Sequence, residues 1–195
     1  AMRKAEVRVT SPLGTDLRFS IEDRPVNFGD GDASKARTDH GVILIDREIE
    51  LPAGAVRVAP VEETVHGTIV FPPSQWDGRV VNELTIQIEH GRITDVKTQS
   101  GQDAVETELA AVPEEAHAFR EFALGFNPLL AVPVRNPWIP YYGYGAGVVR
   151  LSLGDNSELG GVVGGGYVRW NFFIDTTVTV GEEVWVRDGQ LVQPR

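Results

Sequence analysis

Two glutamates and two arginines are the charged side chains whose arrangement could carry chemistry: Glu62, Glu121, Arg150 and Arg169. Paired carboxylates can act as general acid and base, or hold divalent cations, and a nearby guanidinium shifts their proton affinity. A guanidinium has no lone pair to give a metal, but it pairs bidentately with a carboxylate. Imidazoles that could complete a metal site are scarce. His40, His66, His90 and His117 share no ligand spacing, and the segment from Val148 to Arg195 has no histidine. Of the four, His66 carries most interest, because it follows Glu62 by four residues. Ser74, Ser152 and Ser157 lack a nucleophile-elbow context, which disfavours serine hydrolysis. The five glycines between Gly160 and Gly166 are not followed by Gly-Lys-Ser/Thr, so they read as a turn and not a phosphate loop.

A second chemical feature is aromatic. From Ala131 to Gly147, Pro133, Pro137 and Pro140 surround Trp138, and Tyr141, Tyr142 and Tyr144 follow among glycines. Such rings give large contact area at low entropy cost, so the stretch reads either as a binding surface or as a loop folding its own aromatics onto a sheet.

The elements that must position these residues are mostly strands. Val7 and Val9, then Leu17, Phe19 and Ile21, alternate on either side of Ser11-Pro12-Leu13-Gly14 and predict a hairpin. Leu84, Ile86 and Ile88 alternate up to His90-Gly91, and Ile93 and Val96 return. Val178, Val180, Val184 and Val186, with Asp188-Gly189, predict a closing meander. One helical segment is expected near residues 103–123. Asp103 and Glu106 form its capping-box-like start, and Val105, Leu109, Val112, Ala116 and Phe119 form its apolar stripe. Pro113 divides the segment, and Glu121 falls in its last turn. Residues 27–38 read as a polar surface loop. The expected class is α+β, mainly antiparallel sheet or open barrel, as a single domain over residues 1–195.

Composition bounds the function. At 195 residues the chain can bury about 70% of its extended surface without a disulfide or metal. The absence of cysteine excludes thiolate catalysis and argues against an extracellular disulfide scaffold. Neither an apolar run of roughly 20 residues nor a signal-peptide core is present, so a cytoplasmic location is expected. The net charge of −10 repels a phosphate backbone, so nucleic-acid binding is not expected, and it favours the approach of a basic partner.

Val9 to Leu17, Asn27-Phe28-Gly29-Asp30, Ala59-Pro60-Val61-Glu62, His66 to Phe71, Glu121 to Pro128, Leu153-Gly154-Asp155-Asn156 and Val168 to Asn171, taken in order, resemble the catalytic half of the aminopeptidase T family of two-metal exopeptidases. The resemblance implies metal ligands at Glu62 and Glu121, at a histidine that falls on Arg150, at a tyrosine that the 157–160 loop lacks, and at a His-x-Asp pair that falls on Arg169 and Asn171. It therefore implies a scaffold kept without its metals or other cofactors, and Arg150 or Arg169 bridging to Glu62 or Glu121. The function expected is noncatalytic binding of an extended peptide. Its candidate contacts are Trp138, Tyr141, Tyr142, Tyr144, Arg150, Arg169 and Trp170. In this the chain looks like the helper proteins of crocagin-type pathways, which present a ribosomal precursor peptide to modifying enzymes. Two other classes remain open. One is a hydrolase with an altered metal site or a metal-free glutamate pair. The other is a regulatory subunit that pairs with an active relative, since the family implies a homodimer or heterodimer.

Overall fold

The computed structural model describes residues 1–132 and 143–192. Two antiparallel sheets supply most of the architecture. One has eight strands in the spatial order Gln190–Leu191, Glu183–Arg187, Thr177–Val180, Val7–Thr10, Asp16–Phe19, His66–Val70, Thr85–Glu89 and Arg92–Lys97. The other runs Val168–Arg169, Val149–Gly154, Phe119–Gly125, Ala55–Val58 and Asn27–Gly29, with Phe172–Phe173 also pairing to Val149–Gly154. They do not close into a barrel. The class is α+β and mainly β, as the alternation predicts.

All three predicted hairpin regions form. The 11–14 turn pairs Val7 with Phe19 and Val9 with Leu17. The His90-Gly91 turn pairs Glu89 with Arg92, and the closing meander pairs Val178 with Val186. Both residues of the His90-Gly91 turn have positive φ, 49° and 75°, the backbone that a tight hairpin demands.

Period-2 alternation sends one side of each sheet inward. Val7, Val9, Leu17, Phe19, Ile69, Ile86 and Ile88 from the larger sheet meet Val58, Phe122, Leu124, Val149, Leu151 and Leu153 from the smaller, in one continuous core. Phe19 ties the layers together, its ring centroid 5.4 Å from Phe122 and 6.1 Å from Phe119. Ala104, Val105 and Leu109 add the buried stripe of the main helix.

That helix is shorter than its sequence pattern suggests. It spans Gln102–Ala110, from an N-cap at Gly101 with no capping side chain, and Glu114–Ala116 is only a 3₁₀ turn. Phe119–Gly125 is a strand, buried along its whole length. The reason is its place at the middle of the smaller sheet, where both faces are covered and no polar alternation remains to mark it. Glu121 is thus a strand residue and not a helix terminus. The segment 27–38 is likewise not all loop. Asn27–Gly29 is the edge strand of the smaller sheet, and Lys35–Asp39 is one helical turn capped by the Ser34 side chain.

Candidate functional site

The smaller sheet turns its second face away from the core, and the ionic residues gather there. In Val149–Gly154, Val149, Leu151 and Leu153 join the core, so Arg150 and Ser152 take the opposite side. The same alternation places Arg57 between Val56 and Val58. Register brings them together: Ala123 lies opposite Arg57 on one side and Arg150 on the other, while Glu121 pairs with Ser152. Ala123 is small, so both guanidiniums reach along the face to the carboxylate two residues away. A bulge between Phe119 and Glu121 adds Arg120 to the same group.

Glu121 has no exposed surface, and Arg57, Arg120 and Arg150 are each 1% exposed. Glu121 Oε2 accepts from Arg57 Nε and Nη2 at 3.3 and 3.0 Å, and Arg120 Nε lies 3.9 Å away. Glu121 Oε1 accepts from Ser152 Oγ at 3.2 Å and lies 2.7 Å from Arg150 Nε. Two less buried carboxylates complete the balance. Arg57 Nη1 donates to Glu50 at 3.2 Å, and Arg120 pairs with Glu158. Three guanidiniums thus face three carboxylates. Trp170 and Tyr144 flank Arg150, their ring centroids 4.8 and 5.8 Å from its guanidinium carbon.

Electrostatics follows this geometry. Burial pushes the Glu121 carboxyl upward, but the attraction of Arg150, Arg57 and Arg120 outweighs it and holds the group down at about 2. Burial lowers Arg150, and Glu121 only partly restores it. For Arg57 the balance reverses: burial opposes its charge, yet Glu121 and Glu50 raise it.

Glu62 stands in a second cluster. It pairs with Arg24, and its Oε1 accepts from Asn156 Nδ2 and the Val162 amide, both at 2.9 Å. Arg24 also donates to the Gly160 carbonyl, and Arg120 to the Asp155 carbonyl. Both clusters therefore pin the 155–162 loop, Glu62 directly and Glu121 through Arg120.

Of the bridges expected from sequence, Arg150 to Glu121 forms. Arg169 belongs elsewhere: it lies over Trp76 at 3.5 Å, pairs with Glu108 at 2.8 Å and donates to the Gln75 carbonyl. Alternation explains the split, since Arg169 sits opposite Leu153, a residue directed into the core. Asn171 Nδ2 donates to the Leu151 carbonyl and closes the backbone between two short strands. Tyr144, expected among the peptide contacts, is 1% exposed and packs inside. Trp138, Tyr141 and Tyr142 lie outside the described residues. Among the histidines, His66 is exposed and His117 Nε2 donates to the Leu109 carbonyl at 2.8 Å. Arg57 and Arg120 were not apparent as site residues from sequence. Their signal is a lone arginine inside Ala55-Val56-Arg57-Val58-Ala59 and another inside Ala118-Phe119-Arg120-Glu121-Phe122.

The chain belongs to the thermophilic metalloprotease family M29, whose profile matches residues 1–130. It is 28% identical to aminopeptidase AmpS of Bacillus subtilis over 112 residues, which cover 57% of this chain and 25% of that protein. Two solved structures share the fold. 2,5-Dihydroxypyridine dioxygenase from Pseudomonas putida KT2440 has a TM-score of 0.73 at 19% identity, covering 99% of this chain and 56% of that one. Wild-type AmpT from Thermus thermophilus has a TM-score of 0.65 at 20% identity, covering 98% and 51%. The chain thus spans a quarter of the curated relative and about half of the solved ones.

The donor set present does not fit the metals that the family name implies. Every oxygen of Glu121 faces a guanidinium, and Glu62 is held by Arg24. A divalent ion would sit against three fixed positive charges that offer it no lone pair. Among the described residues, no three histidine, aspartate or glutamate side chains are placed to hold a metal ion. Nor is any helix among them long and apolar enough to cross a membrane.

Proposed function

We propose that this chain is a noncatalytic member of the M29 family that holds an extended peptide, its inner metal position filled by arginines. The observation that carries the reading is the pairing of fully buried Glu121 with Arg57, Arg120 and Arg150. A carboxylate needed for catalysis must be reachable by substrate or metal, and this one is spent on internal charge balance. The family scaffold contributes what a peptidase does before chemistry, which is to hold a chain against a sheet face. A ribosomal precursor peptide presented to modifying enzymes is the setting we favour.

Two measurements test it. Metal content of protein purified without chelator, followed by calorimetric titration with zinc and manganese, is expected to give less than about a tenth of an equivalent, given the ligand chemistry. A tight stoichiometric ion together with aminopeptidase activity would overturn the noncatalytic half. Affinity selection from a random heptapeptide library is expected to enrich sequences whose synthetic versions bind. No enrichment would overturn the peptide-holding half.

A further inference from the structure

Beside the ionic cluster, at the edge strand Asn27–Gly29, lies a small, shallow recess open to solvent. Two properties of its lining point to the same occupant. First, it presents apolar surface to water: Phe28 is 53% exposed and Ile49 44% exposed, above a buried Ile45. Neighbouring Leu51 is 66% exposed, so the patch extends past the recess. Second, the lining carries four carboxylates, Asp30, Asp32, Glu48 and Glu50, against two guanidiniums, Arg37 and Arg57. Glu50 is committed to Arg57, and Asp30 lies 3.9 Å from Arg37. Glu48 pairs with no cation among the described residues, Asp32 feels the charge of Arg37 without an ion pair to it, and both are exposed.

We infer that this recess receives a lysine or arginine side chain of the bound peptide, and the inference rests on the peptide-holding reading above. The aliphatic stem would lie along Phe28 and Ile49, where a methylene chain removes exposed apolar surface from water, and the cationic head would meet Asp32 and Glu48. A carboxylate in the same place would be repelled by the net negative lining. The overall charge of −10 acts in the same direction at longer range, favouring the approach of basic segments. Position along the site is thus specified by the apolar walls and residue type by the charge.

The test uses the intact chain and three capped pentapeptides, acetyl-Ala-Leu-Lys-Leu-Ala-amide and its norleucine and glutamate counterparts, followed by amide NMR shifts at low salt. The lysine peptide is expected to shift the amides of Gly29, Gly31, Glu48 and Ile49. It should bind about fivefold tighter than the norleucine peptide, the ceiling for a partly exposed ion pair. The glutamate peptide should bind weakest. In the double variant Asp32→Asn/Glu48→Gln, whose sites are both exposed, the lysine preference should fall below about twofold while the norleucine peptide keeps its affinity. Equal binding of lysine and norleucine, a preference that survives the double variant, or shifts confined to other surfaces would overturn this inference and leave peptide holding intact. Absence of shifts from all three peptides, together with an empty library selection, would overturn both.

Discussion

Replacing Glu121 with glutamine removes one negative charge from a site with no exposed surface and leaves Arg57, Arg120 and Arg150 facing each other. The size of the effect follows from the proton affinity of the carboxyl. It lies at about 2 in the fold against an ordinary 4.5, and a shift of that extent corresponds to about 3 kcal/mol of stability at neutral pH. Removing one partner of a buried ion pair leads independently to about 3–5 kcal/mol. The melting temperature of a chain this size moves about 2–4 °C per kcal/mol, so Glu121→Gln should melt roughly 6–12 °C lower at pH 7. The sign of the pH dependence also follows. The folded group is held below its unfolded value, so its contribution is complete above pH 4.5 and is lost as pH falls from 4.5 toward 2. Urea denaturation of both proteins from pH 7 downward is the assay. Other carboxylates titrate in the same range, and subtracting the variant's curve from the parent's isolates Glu121. A gap under about 0.5 kcal/mol at pH 7, or one that does not narrow below pH 4.5, would refute the claim that this carboxylate is the counter-charge of the cluster.

Three further outcomes are expected. Arg8→Ala, which removes a bidentate pair to Asp16 at 2.6 and 2.8 Å on the exposed side of the larger sheet, should cost less than about 1 kcal/mol by urea melt. Gly67→Ala should cost more than about 1 kcal/mol by the same measurement, since Gly67 has φ of 125° and a Cβ there would lie 2.1 Å from the Asp16 carbonyl oxygen. Burial and a hydrogen bond to Glu108 at 2.8 Å both raise the Tyr167 phenol, so ultraviolet titration should find one tyrosine ionising above the ordinary range, and Glu108→Gln should bring it down.

Much of the fold is written in local pattern. The hairpins at 11–14 and 90–91 are legible because one face of each strand is buried, so apolar residues recur at period 2 and a glycine, Gly14 or Gly91, marks each turn. The helix shows the limit of that reading. Its apolar stripe continues at helical spacing through Phe119, although the chain has already become a central strand there. A short apolar run buried on both faces has no period to distinguish helix from strand.

The sequence by itself determined the chemistry available: a histidine-free C-terminal segment, arginines and an asparagine at the positions the resemblance assigns to metal ligands, and a net charge of −10. Tertiary structure decided which of those groups meet. Arg150 reaches Glu121 because the register of three adjacent strands sets both beside Ala123, whereas Arg169 is carried to Trp76 and Glu108. Arg57, 64 residues before Glu121, donates to it through both Nε and Nη2. Which charges pair across such separations depends on strand order and register, and these are fixed by how the whole set of apolar faces packs, a property no local stretch of sequence contains.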